Sequence, residues 1–326
     1  MILSAAGMTT KENTVMERHD SLSMMFLGVS TSSSRVQKLF HDWSRCLKSQ
    51  LLLVSRDLPL GSERAEYRHF VDEMRSKNPP INGALITSHK AALYDAAYDL
   101  FDQVDTTAQR LEEVGMIYWK NNMMIAGAND ALSTRRVTQR MLLKAQNWMN
   151  GCRRAIILGG GGAGVALANT LVTDDRLGCV EVIVTEIDQA RIEKLSTMFE
   201  AWNSPIPLRV LPSSSGIDEL ISASGPGSLI ANATGLGKDR EGNPVSANVK
   251  FPKQSFIWEF NYRFCVQAEP TFMEIALSQS REYELTIEDG TDYFIWGWLC
   301  VMANILSLQP TEYYNCFSRV AKRVTK

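Results

Sequence analysis

A glycine-rich turn between an apolar segment and a helical pattern constrains this chain more than any other feature. The apolar segment Ile156–Leu158 runs directly into a Gly-x-Gly-x-x-Gly pattern, and apolar residues at helical spacing follow through Leu171. Glycine lets the backbone approach a pyrophosphate closely, and a helix start offers it N–H groups and partial positive charge. We therefore predict a dinucleotide site, with a purely structural turn as the alternative. The predicted binding residues of the turn are Gly159, Gly161, Gly162, Ala163 and Gly164.

Length and composition limit the classes of protein that fit. A chain of 326 residues predicts two domains or one large one. The formal charge of −2 gives no indication of a nucleic acid or an anionic membrane as partner, and no apolar run has the length of a membrane span. We expect a small-molecule partner, no nucleic acid and no membrane, in a monomer or homodimer.

The six cysteines are scattered without the spacing of a metal site or a redox pair. In a chain of this length they favour reduced thiols and a cytoplasmic protein over a disulfide framework, and they predict no bound metal. The residues before Met24 lack the basic and apolar parts of a signal peptide, so we interpret them as an unstructured leader.

Strand and helix patterns alternate over the first hundred residues, which predicts a mainly parallel sheet. A hairpin pattern follows at 114–126, and a long helical pattern at 131–149 is predicted to link two domains. Strand and helix patterns alternate again beyond the glycine turn, and the chain from Gly290 onward is helical and apolar. The fold class is therefore α/β, with a Rossmann-type domain after a first α/β domain.

Seven motifs, in order along the chain, resemble the shikimate and quinate dehydrogenase family. Each motif alone is weakly specific, and their order from about residue 24 to 310 makes the resemblance specific. They are Ser32–Ser34, Ala84–Lys90, Gly127–Asp130, Gly159–Gly164, Ala231–Gly237, Tyr262 with Thr271, and Glu288–Gly290.

The resemblance implies a domain plan. The substrate-binding domain would comprise residues 24–130, completed by C-terminal helices at 289–326 that return to it. The Rossmann NAD-binding domain would comprise residues 131–288.

A lysine and an aspartate are the catalytic pair that the resemblance implies. Lys90 lies just inside a predicted helix after a strand, so the helix end and partial burial are expected to lower its pKa and make it a base near neutrality. Asp130 would hold the ammonium group and accept a hydrogen bond from the substrate hydroxyl. Without the resemblance both would be ordinary surface charges. His89, beside Lys90, is predicted to be structural.

Hydroxyl groups are predicted to bind the substrate. Ser32 and Ser34 would point to one side of an extended segment and bind a carboxylate, unless they belong to a mere serine-rich loop. Thr87 and Tyr262 would add hydroxyl contacts to a polyol acid.

The chain departs from the family where asparagine and glutamine side chains grip the ring hydroxyls of shikimate. Leu85, Tyr118, Ala128 and Gly297 stand at these positions. A site built on hydrogen bonds discriminates strongly, so these losses predict an altered substrate. Tyr118 and Gly297 are expected to face it. Three tryptophans near these positions would make the pocket more aromatic, or would simply pack in the core; they are Trp119, Trp296 and Trp298.

An acidic residue predicts the choice of cofactor. Glu186 is expected to end the second strand of the nucleotide-binding domain, where an acid bonds the ribose hydroxyls and repels a 2′-phosphate. We therefore predict NAD rather than NADP, with Asp188 as the alternative ribose ligand. Asn232, Thr234 and Gly237 are predicted to form a loop near the nicotinamide.

Together these features predict an NAD-dependent oxidoreductase. It would act on a secondary alcohol or ketone of a carbocyclic or polar hydroxy acid, related to shikimate but distinct from it, in a specialised pathway. One alternative is a catalytically silent relative that binds a dinucleotide or metabolite as a regulator, against which the pair Lys90 and Asp130 argues. Another is a methylenetetrahydrofolate-dehydrogenase-like enzyme, which Ser32, Ser34 and Asp130 disfavour.

Overall fold

Two six-stranded sheets and the helices that cover them make up the described part of this computed structural model. The structure describes residues 22–76, 81–144, 154–213, 216–238, 241–262 and 267–324.

The first sheet is built by the N-terminal part of the chain. Its strand order is β2-β1-β3-β5-β6-β4. The pairs β1–β2, β1–β3 and β4–β6 are parallel, whereas β5 runs antiparallel to both of its neighbours. The strands are β1 Leu22–Gly28, β2 Leu51–Asp57, β3 Ile81–Ile86, β4 Gln103–Val104, β5 Met116–Lys120 and β6 Met123–Gly127. The helices between them are α1 Val36–Cys46, α2 Arg64–Ser76, α3 Lys90–Ala97 and α4 Thr106–Leu111.

The second sheet is parallel throughout. The strands are β7 Arg154–Leu158, β8 Glu181–Glu186, β9 Leu208–Pro212, β10 Leu229–Asn232, β11 Phe256–Glu259 and β12 Thr286–Glu288. Their order is β12-β11-β10-β7-β8-β9, so the chain reverses its direction of winding between β7 and β10. Ligands of such sheets bind beyond the carboxyl ends of the strands at this reversal. The helices are α6 Gly162–Thr173, α7 Gln189–Ala201, α8 Ile217–Ser222 and α9 Phe272–Gln279.

Apolar residues on both faces explain why β7 lies at the centre of the second sheet. Ala155 to Leu158 are all buried, and so is every residue of β10 and β11. Strands of a parallel sheet that is covered on both sides show such continuous apolar runs rather than alternation.

Three further helices complete the fold. Helix α5 (Asn129–Lys144) packs against α6 and against α10 (Thr291–Ile305), and α10 also packs against β3 and β5. Helix α11 (Pro310–Val324) packs against α1 and α10. The C-terminal helices therefore return to the first sheet, as predicted, and the α/β fold class is confirmed. The domain boundary at residues 130 and 131 stays a prediction, because α5 begins at Asn129 and contacts both halves.

The elements differ from the sequence expectations in a few places. The short β4 and α4 were not expected, and the C-terminal helical segment is two helices. Helix α5 is described to Lys144, and the predicted remainder to residue 149 lies outside the described residues, as do residues 1–21 of the predicted leader. Leu22 and Ser23, which were also assigned to the leader, belong to β1. In the described ranges no helix has the length and apolar character to span a membrane, and no group of three acidic, histidine or cysteine side chains is arranged to hold a metal.

The prediction of reduced cysteines is wrong for two residues. Cys46 on α1 and Cys316 on α11 form a disulfide with their Cα atoms 5.9 Å apart. The pair is 270 residues apart in sequence, so only the return of the last helix brings the two together. Cys300 is free and buried, Cys179 is also buried, and Cys152 and Cys265 lie outside the described residues.

Candidate active site

The glycine turn that joins β7 to α6 has a backbone conformation that requires glycine at two positions. Gly159 has a φ of +103°, which residues with a side chain rarely adopt. A Cβ on Gly164 would lie 2.0 Å from the carbonyl oxygen of Gly159, so α6 packs directly onto the turn. Gly161 is the N-cap of α6 and has open space where a Cβ would stand. The start of α6 is therefore open to a ligand.

A cavity of about 680 Å³, here named the glycine-turn cavity, lies along this turn. Glu186, the last residue of β8, lines it and accepts a hydrogen bond from the Gly160 N–H (3.1 Å). Its other carboxylate oxygen accepts the N–H groups of Ile187 (2.7 Å) and Asp188 (3.1 Å). These contacts fix the carboxylate at the edge of the cavity, where the sequence predicted a ribose ligand.

Asp188, the alternative ribose ligand, has another role in the structure. It is the N-cap of α7, and its carboxylate accepts the Arg191 N–H at 2.8 Å. Asp188 is not among the residues that line the glycine-turn cavity.

The loop after β10 is held by a buried asparagine. Asn232 accepts hydrogen bonds from the N–H (3.1 Å) and hydroxyl (2.7 Å) of Thr234, and its amide donates to Glu259 (2.8 Å). Burial raises the pKa of Glu259 to about 7. Thr234 lines both main cavities, whereas Asn232 and Gly237, which were predicted to lie near the nicotinamide, line neither.

A second cavity of about 420 Å³, here named the lysine cavity, adjoins the first. It lies between the ends of β1 and β3, the starts of α3, α5 and α6, and helix α10. Gly161, Ala233 and Thr234 line both cavities. A ligand that follows the glycine turn thus reaches from one cavity into the other.

Lys90 and Asp130 form a buried ion pair that lines the lysine cavity. Lys90 is the first residue of α3 and Asp130 lies in the first turn of α5, so two helix starts bring them together. Their side chains are 13% and 7% exposed. Tyr293, on α10, interacts with Asp130 through its hydroxyl, and burial together with that carboxylate raises its pKa.

The expectation of a lowered Lys90 pKa is wrong. Burial does lower it, and it is the largest influence, but the charges of Asp130 and Glu113 and the hydrogen bond to Asp130 together outweigh burial and raise the pKa. The helix start and burial are visible in the sequence around Lys90, whereas the two carboxylates come from other segments of the chain. Lys90 is therefore an ammonium group at neutral pH.

Glu113 is a third ionisable residue of this site and was not predicted from the sequence. It lies between α4 and β5, is 3% exposed and lines the lysine cavity. Burial raises its pKa to about 8, and its Oε1 atom finds no hydrogen-bond partner among the described residues. Glu112 and Glu113 are adjacent in sequence before the hairpin, and no sequence pattern distinguishes one from the other.

The lysine cavity brings together four of the six residues predicted to contact the substrate: Ser34, Thr87, Tyr262 and Gly297. Ser32 and Tyr118 are not among its lining residues. Residues 31–33 form a 3-10 turn, so the alternation that would place Ser32 beside Ser34 does not apply. Tyr118 is half-buried on β5, opposite Gly83 of β3.

Apolar side chains make up one wall of the lysine cavity: Phe26, Leu85, Phe294 and Trp298. The rings of Trp298 and Phe26 pack edge to face, with their centroids 5.0 Å apart. The other aromatic residues considered from the sequence pack elsewhere: the Trp119 indole donates to the carbonyl of Ile81 (2.9 Å), and Trp296 stacks on Tyr314. His89 is buried against the Tyr67 hydroxyl (3.0 Å) and does not line the cavity.

Two further cations line the lysine cavity. Lys238 lies over the ring of Tyr262, 4.9 Å from its centroid. Arg191 donates from Nε to the carbonyl of Gly160 at 3.1 Å. Neither was predicted, because both come from segments assigned to the nucleotide-binding half.

Comparison with known proteins agrees with the family resemblance. The shikimate dehydrogenase (NADP(+)) of Streptococcus gordonii is 25% identical over 181 residues, and the match spans 55% of this chain and 58% of that protein. The quinate dehydrogenase of Corynebacterium glutamicum, solved with NAD, superposes with a TM-score of 0.70 at 19% identity and covers 91% of this chain and 98% of its own.

The shikimate 5-dehydrogenase of Thermus thermophilus, solved with NADP(H) and shikimate, has a TM-score of 0.65 at 21% identity, with 92% of this chain and 99% of that chain covered. No family model matches the chain. The chain thus resembles the shikimate and quinate dehydrogenases in sequence and shares their fold, which confirms the resemblance drawn from its motifs.

Proposed function

We propose that this chain is an NAD-dependent dehydrogenase. It transfers a hydride between the nicotinamide and a secondary alcohol or ketone of a carbocyclic or polar hydroxy acid, related to shikimate but distinct from it. The observation that carries the proposal is the buried pair of Lys90 and Asp130 in a cavity that adjoins the glycine-turn cavity.

The glycine turn fits a dinucleotide. The open space at Gly161 leaves room for a pyrophosphate against the backbone, and the start of α6 offers N–H groups to it. Glu186 would bond the ribose hydroxyls, and Thr234 would lie beside the part of the cofactor that enters the lysine cavity. When bound, the nicotinamide supplies or accepts the hydride.

The charges around the glycine-turn cavity favour NAD over NADP. Three carboxylates line it, on Glu186, Asp218 and Glu219, and no lysine or arginine of the described residues does. A 2′-phosphate would meet negative charge without a cation to balance it. Arg191 lines only the other cavity, where it bonds to the turn itself.

Lys90 moves the proton of the reaction. As an ammonium group held by Asp130, it donates a proton to the substrate oxygen when a ketone is reduced. In the reverse direction its amine must first lose that proton. The raised pKa of Lys90 thus means that the resting enzyme is ready for ketone reduction.

The lysine cavity fits an acid with fewer ring hydroxyls than shikimate. Ser34, Thr87 and Tyr262 would present their hydroxyl groups, and Lys238 its ammonium group, to the polar edge of a substrate. Leu85 and Gly297 offer no side-chain hydrogen bond, and Trp298 and Phe26 suit an apolar ring face. A substrate hydroxyl buried there would be left unpaired, which is costly.

Turnover by the purified protein tests the proposal. We expect reduced cofactor to accumulate when NAD is mixed with some member of a panel of hydroxylated cyclohexane and cyclohexene carboxylic acids. Lys90→Met should lower the rate by about 10²–10⁴-fold without weakening NAD binding, because it removes the proton-transfer group alone.

The exposed Lys38 on α1 provides a control, since Lys38→Met should leave the rate unchanged. NAD binding without turnover of any acid in the panel would contradict the proposal and favour a catalytically silent regulator. The same holds if the Lys90 variant turns over normally.

A further inference from the structure

Glu113 converges with the catalytic pair on one glycine. A Cβ built on Gly162 would lie 3.0 Å from Oε2 of Glu113, 3.8 Å from Oδ2 of Asp130 and 3.9 Å from Cδ of Lys90. Gly162 is the first residue of α6, so the three side chains approach one point, where the glycine turn enters its helix. The absence of a side chain at 162 gives Glu113 the room to reach this point.

The charges around Glu113 favour its protonated form near neutral pH. Lys90 and Asp130 already balance each other, so an ionised Glu113 would be a second buried anion. The groups that face it from other elements are Arg191 on α7, Asp105 before α4 and Tyr293 on α10. Burial and the two aspartates raise its pKa to about 8, although Lys90 and Arg191 act in the opposite direction.

One oxygen of Glu113 is unused by the protein. Oε1 is buried and has no hydrogen-bond partner within the described ranges. A buried carboxyl oxygen without a partner is costly in a merely structural role, because its desolvation is not repaid. Proton exchange between Glu113 and a neighbouring group of the cavity would explain why the chain retains a carboxyl group here despite this cost.

We propose that Glu113 is the proton store of the site and recharges Lys90 after each ketone reduction. Lys90 first gives its proton to the substrate oxygen and becomes a neutral amine. The O–H bond of Glu113 then breaks, a water molecule in the lysine cavity takes this proton and gives one of its own to the neutral Nζ of Lys90, and Glu113 becomes a carboxylate that regains a proton from bulk water. The inference rests on the proposed function.

The charge of the site gives this transfer its direction. Once Lys90 is neutral, the carboxylate of Asp130 is a buried charge without a counter-ion. The return of the proton to Lys90 restores the ion pair and leaves Glu113 beside a cation. Glu113 acts through Lys90 rather than on the substrate, so it is a positioning residue.

The first test needs no substrate. Between the ordinary glutamate pKa of 4.5 and about 8, folded Glu113 holds a proton that the unfolded chain releases, so the protein loses stability as the pH rises through this window. Glu113→Gln keeps the shape and removes the titration. Its Tm should therefore fall less than the wild-type Tm between pH 5 and about 8.5. Glu112→Gln, which alters a partly exposed residue paired with Lys194, is the control and should follow the wild type.

The second test follows protons during one turnover. We would mix enzyme, reduced cofactor and the ketone of an accepted panel acid in a weakly buffered solution with a pH indicator. In the wild type, proton uptake from water should lag behind cofactor oxidation. In Glu113→Gln, Lys90 must take its proton directly from water, so the lag should lengthen and steady turnover should slow by about tenfold or more, and Glu113→Asp should reverse part of both changes.

Each result of these two experiments either supports or overturns the proposed role of Glu113. An unchanged lag and rate in Glu113→Gln, or identical dependence of its Tm on pH, would overturn the role of Glu113. A full rate in Lys90→Met, or a lack of any accepted ketone, would instead sink the proposed function and with it the relay. In that case the Tm comparison would still report whether Glu113 carries a proton.

Discussion

The charge of Asp130 decides in which form Lys90 meets a substrate. Burial alone would lower the pKa of Lys90, and Asp130 is the first of the influences that raise it. For alcohol oxidation, which needs the free amine, the rate should therefore rise with pH through an alkaline limb. Asp130→Asn removes the counter-charge and should shift this limb to lower pH by about 1–3 units.

The pH profile of kcat/KM for the wild type and Asp130→Asn provides the measurement. The maximum rate of the variant should also fall, because the amine loses the group that holds it. Asp102→Asn, a change near the surface on the same half, serves as a control. A limb at the same pH in both enzymes would contradict this account of Lys90.

Glu186 should determine the preference between the two nicotinamide cofactors. Glu186→Ser removes the carboxylate while its neighbours Ile187 and Asp188 remain. Loss of hydrogen bonds to a charged group, about 1.5–3 kcal/mol, should weaken NAD binding by about 10- to 100-fold, and NADP should bind better than before. Isothermal titration with both cofactors measures this, with Glu193→Gln, an exposed residue of α7 outside both cavities, as the control. A wild-type enzyme that prefers NADP would refute the assignment.

Single residues were predictable where they sit in a motif, and less so where distant segments meet. The motifs predicted Lys90 and Asp130, and the strand pattern after the glycine turn predicted Glu186; all three line the cavities. They did not identify Glu113 or Arg191, because the significance of these side chains comes from groups far away in sequence. The wrong direction for the pKa of Lys90 has the same origin.

Two glycines at the junction of β7 and α6 should respond differently to substitution by alanine. Gly164→Ala places a Cβ 2.0 Å from a backbone oxygen of the turn, so α6 must move off the sheet, at a cost of about 1–3 kcal/mol or more. Gly161→Ala meets nothing within 4 Å and has an ordinary φ of −71°, so the fold should tolerate it.

Urea unfolding and NAD titration separate the two variants. Gly164→Ala should lose stability, whereas Gly161→Ala should keep it and bind NAD more weakly, because its methyl group occupies the approach of the pyrophosphate. Equal stability of the two variants would contradict the tight packing of α6 on the turn.

Among the elements, those with a clear apolar period were predictable. The strands around β7 and the helices between them follow from their patterns to within a few residues. The strand β4 has two residues and therefore no period, and α4 has six, so neither could be recognised. The predicted hairpin at 114–126 is present and makes β5 antiparallel, which the alternation earlier in the chain could not indicate.

For the molecule as a whole, the disulfide between Cys46 and Cys316 links the first helix to the last. Cys316→Ser should lower the free energy of unfolding by about 2–5 kcal/mol, because the unfolded chain is no longer cross-linked. Urea unfolding with and without reductant measures this. Reductant should destabilise the wild type and leave the variant unchanged; equal stability of the two oxidised proteins would argue against the bond.

The order of the motifs predicted the two-part plan of the molecule, but not the contacts that join the parts. Arg110 of α4 donates to Asn169 of α6 at 2.8 Å, and the indole of Trp202 donates to the carbonyl of Arg110 at 2.9 Å. These contacts depend on how the halves face each other, and no local pattern encodes that arrangement.

The wall that the two cavities have in common makes their occupants interdependent. Gly161, Ala233 and Thr234 each present a surface to both sides. A ligand that displaces these residues from one cavity changes the shape of the other cavity. Each ligand therefore changes the affinity of the protein for the other ligand. Thermodynamic linkage then requires the two effects to be equal in size.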